Sequence, residues 1–197
     1  MKQIDVLFVH PNGAQIIYQE LSKNYSAIEP PIWAALLAKN ALTKGFTTNI
    51  LDCEAERIDA VESAKRVKEQ NPRLIAIVVY GQQPSASTQN MIGARMLIEQ
   101  LDAIAPELKT ILIGLHPSAV ARQTLETEHS DFVCQGEGPY TIQKLLEIDM
   151  DDAAALSTVP GLWYRAGGKT RYTTPAPIIP QEKLSTELPG MECVSRY

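Results

Sequence analysis

The chain of 197 residues has no excess of basic residues: 18 Lys and Arg face 23 Asp and Glu, for a net charge of −5. Nor do Lys and Arg cluster, so the chain lacks the basic face that nucleic acid or an acidic membrane surface would require. Cysteine is scarce. Cys53, Cys134 and Cys193 are far apart and odd in number, which argues against a disulfide framework and fits a reducing compartment. No apolar run approaches the roughly 18 residues of a membrane span, and Met1-Lys2-Gln3-Ile4-Asp5 leads into a strand pattern with no secretory leader. Internal repeats and low-complexity tracts are missing too. The expectation is a cytoplasmic chain with no membrane and no nucleic-acid partner. What remains is ordinary for a globular protein, 45% apolar and 21% charged, and long enough for one domain with a full core.

Short β-branched runs alternate with longer amphipathic stretches. Candidate strands are Asp5–Val9, Thr47–Leu51, Leu74–Val79, Thr110–Ile113 and Asp131–Cys134. The third and fourth are almost continuously apolar, as expected of strands covered on both faces. Pro30-Pro31 opens a helix whose expected buried stripe is Trp33, Leu36, Leu37 and Leu42, before Gly45 ends it. A second helix carries Ile58, Val61, Ala64 and Val67 and stops before Pro72. A third is capped by Ser87 or Thr88 and uses Met91, Leu97, Ile98 and Leu101. Shorter helices are expected near Ser118–Glu126 and Pro139–Glu147.

Five strand–helix repeats predict an α/β fold: a doubly wound, five-stranded parallel sheet of the Rossmann or flavodoxin-like kind, occupying residues 1–150. Right-handed crossovers put all strand C-terminal ends on one edge, where such folds bind ligands. Residues 151–197 read differently. Leu162–Arg165, Gly167-Gly168 and Thr170–Thr173 predict a β-hairpin, and the proline-rich remainder a linker or docking arm.

The loops at the binding edge are His10-Pro11-Asn12-Gly13-Ala14, Tyr80-Gly81-Gln82-Gln83-Pro84-Ser85-Ala86-Ser87-Thr88, Gly114-Leu115-His116-Pro117-Ser118 and Gly136-Glu137-Gly138-Pro139. Small, polar and glycine-containing, they let backbone approach a flat ligand. Neither a G-x-G-x-x-G dinucleotide fingerprint nor a P-loop is present. His10 and Tyr80 stand where a receiver domain would carry acidic residues, and His-Pro-Asn-Gly is a poor flavin-phosphate loop.

Several segments resemble one family, the N-terminal cobalamin-binding domains of cobalamin-dependent radical SAM enzymes. Pro30-Pro31-Ile32-Trp33-Ala34-Ala35-Leu36-Leu37-Ala38 is similar to their PPLGLAYLAA, Gly114–Ala119 to GGPHPTA, and Asp131–Gly138 to DFVVRGEGE. Val159–Arg165 resembles IPGLSYR, and Glu187-Leu188-Pro189 the DELP before the radical SAM barrel. The matches run in order along nearly the whole chain.

The resemblance implies cobalamin lying over the strand ends with its nucleotide tail inserted into the domain. Ser85, Ala86, Ser87 and Thr88, with Pro84, match the tail-contacting loop; Gly114 and Leu115, leading into His116 and Pro117, match the neighbouring one; Gly136, Glu137 and Gly138 match the third. Gln82 and Gln83 suit the neutral corrin amides, and Asn12 and Gly13 lie on the first loop. Ser85→Trp or Ser87→Trp is expected to abolish cobalamin retention with the fold intact.

Bland readings stand beside these. Ser85–Thr88 is also an ordinary helix cap, His116-Pro117 a turn, Gly136–Gly138 a strand–helix turn, and Tyr80 either core or corrin-facing. Leu115 replaces the family's second glycine. His10 is a candidate cobalt ligand, but Phe8-Val9-His10-Pro11-Asn12-Gly13 lacks the Asp of D-x-H-x-x-G that would orient the imidazole. The expectation is cobalt without a protein histidine.

Three scattered cysteines cannot form the C-x-x-x-C-x-x-C that holds a radical SAM [4Fe-4S] cluster. The cluster and S-adenosylmethionine would therefore belong to a catalytic domain in cis, absent from these residues, with methyl transfer as the implied reaction. The alternative is a free-standing corrinoid protein, or an α/β ligand-binding or interaction module.

Overall fold

The computed structural model describes residues 3–23, 28–81 and 83–183. In chain order these form β1 (Ile4–His10), α1 (Ala14–Tyr18), α2 (Ile32–Thr43), β2 (Thr48–Asp52), α3 (Ala60–Gln70), β3 (Pro72–Val79), α4 (Pro84–Ile104) and β4 (Lys109–Gly114). Then follow α5 (Leu115–Ala119), α6 (Ala121–Thr127), β5 (Phe132–Cys134), α7 (Pro139–Leu146), α8 (Ala153–Leu156), β6 (Leu162–Ala166) and β7 (Lys169–Tyr172).

Alternation along the central strands feeds two cores. Val6 and Phe8 of β1, Leu74, Ala76 and Val78 of β3, and Ile111 and Ile113 of β4 face α2 and α7. Their neighbours Leu7, Val9, Ile75, Ile77, Val79 and Leu112 face α3, α4 and α6. This is the period of two that a pleated strand imposes. The strands pair in the order β2-β1-β3-β4-β5-β6-β7, the first five in parallel and the last two pairings antiparallel. The parallel α/β sheet expected from the sequence is therefore present, with its topological switch between β1 and β3.

Helix registers differ from the sequence expectation at three points. In α2 the small residues Ala34, Ala35, Ala38 and Ala41 are buried with Leu37, whereas Trp33 and Leu42 are 44% and 49% exposed. Alanines bring the helix close to the sheet, so the narrow stripe packs and the bulky residues turn outward. In α3, Asp59 accepts from the Glu62 N–H at 2.8 Å and caps the helix after Ile58; Val61 is exposed. Helix α4 begins at Pro84, where fixed φ and the missing N–H suit the first helical position. Ser87 and Thr88 thus lie inside the helix and do not cap it.

The β6–β7 hairpin turns at Gly167 and Gly168 with φ of 58° and 70°, the two positive values of a type I′ turn. It extends the sheet rather than standing apart: β6 pairs with β5, and Leu156, Val159, Leu162 and Tyr164 join the α2–α7 core. Trp163 stacks on Tyr172 at 4.7 Å, as hairpin packing predicts. Cys53 and Cys134 are buried, while Cys193 and Glu187-Leu188-Pro189 lie outside the described residues. Among the described residues no helix is long and apolar enough to cross a membrane.

Candidate functional site

At the switch point the chain leaves β1 and β3 in opposite directions, and between the two connections lies a cavity of about 990 Å³. That is the upper end of the range of small-molecule sites. Its walls come from the loop after β1 and α1, Glu54 after β2, the loop after β3, the first two turns of α4 and the N-terminal turn of α2. The apolar lining includes Ile17, Ile32, Ala34, Val78 and Ala86; the polar side chains are His10, Glu29, Glu54 and the amides Gln83, Gln89 and Asn90.

Register fixes His10. Parallel pairing of β1 with β2 sets His10 opposite Asp52, and the imidazole Nδ1 lies 3.2 Å from Asp52 Oδ1. An ionised carboxylate only accepts, so the His10 Nδ1 N–H donates to Asp52. Glu54 Oε2 is 3.9 Å from Nε2, beyond hydrogen-bond length. Burial raises the Glu54 pKa, against the pull of His10, and Asp52 and Glu29 add to the rise. A carboxylate 42 residues away in sequence, on the neighbouring strand, thus stands behind the His10 ring. Among the described residues no group of three or more His, Cys, Asp or Glu could hold a metal ion.

Tyr80 follows β3 directly and stacks on Trp33, with ring centroids 4.6 Å apart and planes 20° from parallel. Burial, helped by Cys134 and Glu137, pushes its phenol up to about 12, so the ring is neutral. Both rings line the cavity.

The residues singled out from the sequence fall into separate places. His10, Gly13, Tyr80, Gln83 and Ala86 line the cavity. Asn12 braces the loop instead: its Oδ1 accepts from Ala14 N–H and its Nδ2 donates to Ile58 O, both at 3.1 Å. Pro84 and Ser85 are exposed in the first turn of α4.

Ser87, Gly114 and Pro117 are buried in the seam where α4 and α5 meet the sheet, with Thr88, Leu115 and His116 along it. Ser87 Oγ donates to Val79 O and accepts from His116 N–H, and Thr88 Oγ1 lies 3.0 Å from His116 Nδ1. A Cβ on Gly114 would come within 2.0 Å of Val79 O. Ser87 is fully buried, so Ser87→Trp would break the packing rather than leave the fold intact.

Gly136, Glu137 and Gly138 sit beneath the C-terminal arm: Glu137 Oε2 accepts from Ile179 N–H at 3.1 Å, and Gly161 N–H donates to Thr174 O at 2.7 Å. Gln82 lies outside the described residues. Sequence reasoning missed Trp33, Asp52, Glu54, Gln89 and Asn90 as parts of the site. The switch-point rule was the available pointer, because it directs attention to the β1 and β3 loops over those of β4 and β5.

Residues 21–146 match the family model described as B12 binding domain. The chain belongs to that family. No curated protein matches it. Among solved structures, this B12-binding domain is similar to the radical S-adenosylmethionine methyltransferase TsrM from Kitasatospora setae with cobalamin and a [4Fe-4S] cluster bound. That match has a TM-score of 0.66 and 18% identity over 91% of this chain and 30% of that one. It is also similar to the cobalamin-dependent S-adenosylmethionine radical enzyme OxsB with aqua-cobalamin bound, at a TM-score of 0.62 and 16% identity over 95% of this chain and 24% of that one. At these identities the likeness is one of fold. The chain spans less than a third of the structures it matches.

Membership makes cobalamin the cofactor to test against the residues present, and the cavity fits it. Its volume, alkyl walls and neutral amides suit a large macrocycle fringed with carboxamides, since amide matches amide as donor and acceptor.

Proposed function

We propose that this B12-binding domain holds cobalamin at the β1–β3 switch point for a radical SAM methyltransferase whose cluster-binding and S-adenosylmethionine-binding parts lie outside these residues. The observation that carries the reading is the cavity itself, formed at the strand C-terminal edge in a chain of the B12-binding family. When bound, the corrinoid supplies a transferable methyl group; the protein supplies binding and orientation.

Gln83, Gln89 and Asn90 would hold the corrin amides, and Ile17, Ile32 and Val78 would exclude water from its apolar underside. His10, its proton fixed on Nδ1 by Asp52, would present Nε2 as the nitrogen donor toward cobalt. Because Asp52 stands behind the ring, the reason for expecting cobalt without a histidine falls away. The scattered cysteines leave the cluster to another part of the protein.

The test is reconstitution with hydroxocobalamin, removal of free ligand by desalting, and the visible spectrum of the protein fraction. A retained corrin band at one equivalent per chain is expected. A colourless protein after loading at high concentration would overturn the reading and leave a non-corrinoid ligand module.

A further inference from the structure

Helix α4 carries a buried glycine, Gly93, that its own backbone does not require. The residue is helical, without the positive φ of Gly138 or Gly161, so any L-residue could adopt its conformation. Glycine inside a helix also lowers helix stability relative to alanine. Space explains it. A Cβ on Gly93 would lie 2.8 Å from both Asn12 C and Gly13 N. The peptide bond between Asn12 and Gly13, in the loop after β1, therefore rests directly on the helix.

The contact is matched from the loop side. Gly13 has φ of −114° and ψ of 0°, which most residues tolerate. Yet a Cβ there would meet Ile92 Cγ2 at 3.1 Å, and Gly93 N and Ile17 Cδ1 at 3.2 Å. Asn12 anchors the same loop on its other side, donating from Nδ2 to Ile58 O. Two glycines thus bring loop and helix backbone to backbone where side chains would hold them apart.

This contact sets a dimension of the cavity. His10, Gly13, Ala14 and Ile17 form one wall; Gln89 and Asn90, about one turn before Gly93 on α4, form another. A side chain at position 93 must lift the loop off the helix. The loop can yield, because α1, which continues it, has no buried residue. Helix α4 is held by its buried face of Met91, Ala94, Leu97 and Ile98. The displacement therefore falls on the cavity wall.

Resting on the reading of the chain as a cobalamin binder, we propose that Gly93 is a positioning residue for the corrinoid. It seats the loop after β1 against α4 and so holds the Ile17 wall and the amide wall at the spacing the macrocycle requires.

Titration of the full chain with hydroxocobalamin, with the Tm of the ligand-free protein measured alongside, tests this. Gly93→Ala is expected to weaken hydroxocobalamin by about tenfold. Its ligand-free Tm should stay close to wild type, since the gain in helix propensity offsets the displaced loop. Gly13→Ala presses on the same contact through Ile92 and should weaken binding in the same direction; it serves as the test if Gly93→Ala does not fold. Ala94→Gly is the opposite control. Ala94 packs in the core shared with Ala64 and Val67 of α3, so its loss should lower Tm and leave the affinity of the folded protein unchanged. Wild-type affinity in the folded glycine variants overturns the proposal while cobalamin binding stands. So does an equal loss of affinity in Ala94→Gly, which would trace the effect to helix stability. Failure of wild-type protein to bind hydroxocobalamin overturns the functional reading itself, and this inference with it.

Discussion

Asp5, at the start of β1, ties three strands together through one carboxylate. Its Oδ2 accepts from Thr47 N–H at 2.8 Å and Thr47 Oγ1 at 2.6 Å, and its Oδ1 from Arg73 Nη1 at 3.1 Å. Burial by itself would raise its pKa; the bonds from Thr47 and the charge of Arg73 outweigh that and hold it below the ordinary 3.8. A depressed carboxylate binds fewer protons folded than unfolded, so the stability it contributes is present above 3.8 and lost as pH falls through the folded value. Asp5→Asn is therefore expected to cost about 1 kcal/mol at pH 7, the lower end for bonds to a charged group because the site is partly exposed. The gap from wild type should close on acidification. Denaturant titrations at neutral pH and at about pH 2 check this; a gap that persists in acid would assign the loss to packing. The His10–Asp52 pair obeys the same geometry, and neither pair was visible in the sequence. Their members are 42 residues apart in both cases, and only parallel register brings them together.

The β3–β4 pairing depends on a position with no room for a side chain. Val79 stands opposite Gly114, whose φ of 156° and close approach to Val79 O exclude a Cβ. Gly114→Ala must push β4 away from β3 and disturb the Ser87 bridge between them. The expected loss is about 3 kcal/mol or more, in the range of strained or overpacked interior substitutions, read as a drop in Tm with no change of fold. A Tm within a degree or two of wild type would show that the strand end shifts freely. The strands were legible because their apolar, β-branched runs admit few other readings. The helix faces were less so: periodicity found α2, but size was taken as the guide to burial, whereas Ala34, Ala38 and Ala41 pack and Trp33 does not. The loop glycines were legible as essential but not as to purpose. Gly114 reads as ligand access in sequence, and the structure gives it a further purpose as a close contact between strands.

At the scale of the molecule, the parallel sheet ends on β5, a strand of three residues, and the hairpin covers its open side. The alternation of the first 150 residues predicted the sheet but left the role of the rest undetermined, since a hairpin and a proline-rich arm are compatible with a linker. The structure places Leu156, Val159, Leu162 and Tyr164 in the core beside Phe132 and Ile142, and buries Ile179 as well. Five such side chains at about 2 kcal/mol each amount to roughly 10 kcal/mol of burial, comparable to the whole net stability of a domain. Removing them would also leave the β5 edge unpaired, a template for association. A fragment of residues 1–150 is therefore expected to lose cooperative unfolding and to elute as aggregate, whereas a chain ending after Lys183 keeps a sharp melt and a monomeric volume. Gel filtration and thermal unfolding followed by near-ultraviolet circular dichroism distinguish the two. A monomeric 1–150 fragment with a sharp transition would mean that the first five strands suffice, and that the hairpin serves only to carry the arm across the Glu137 loop.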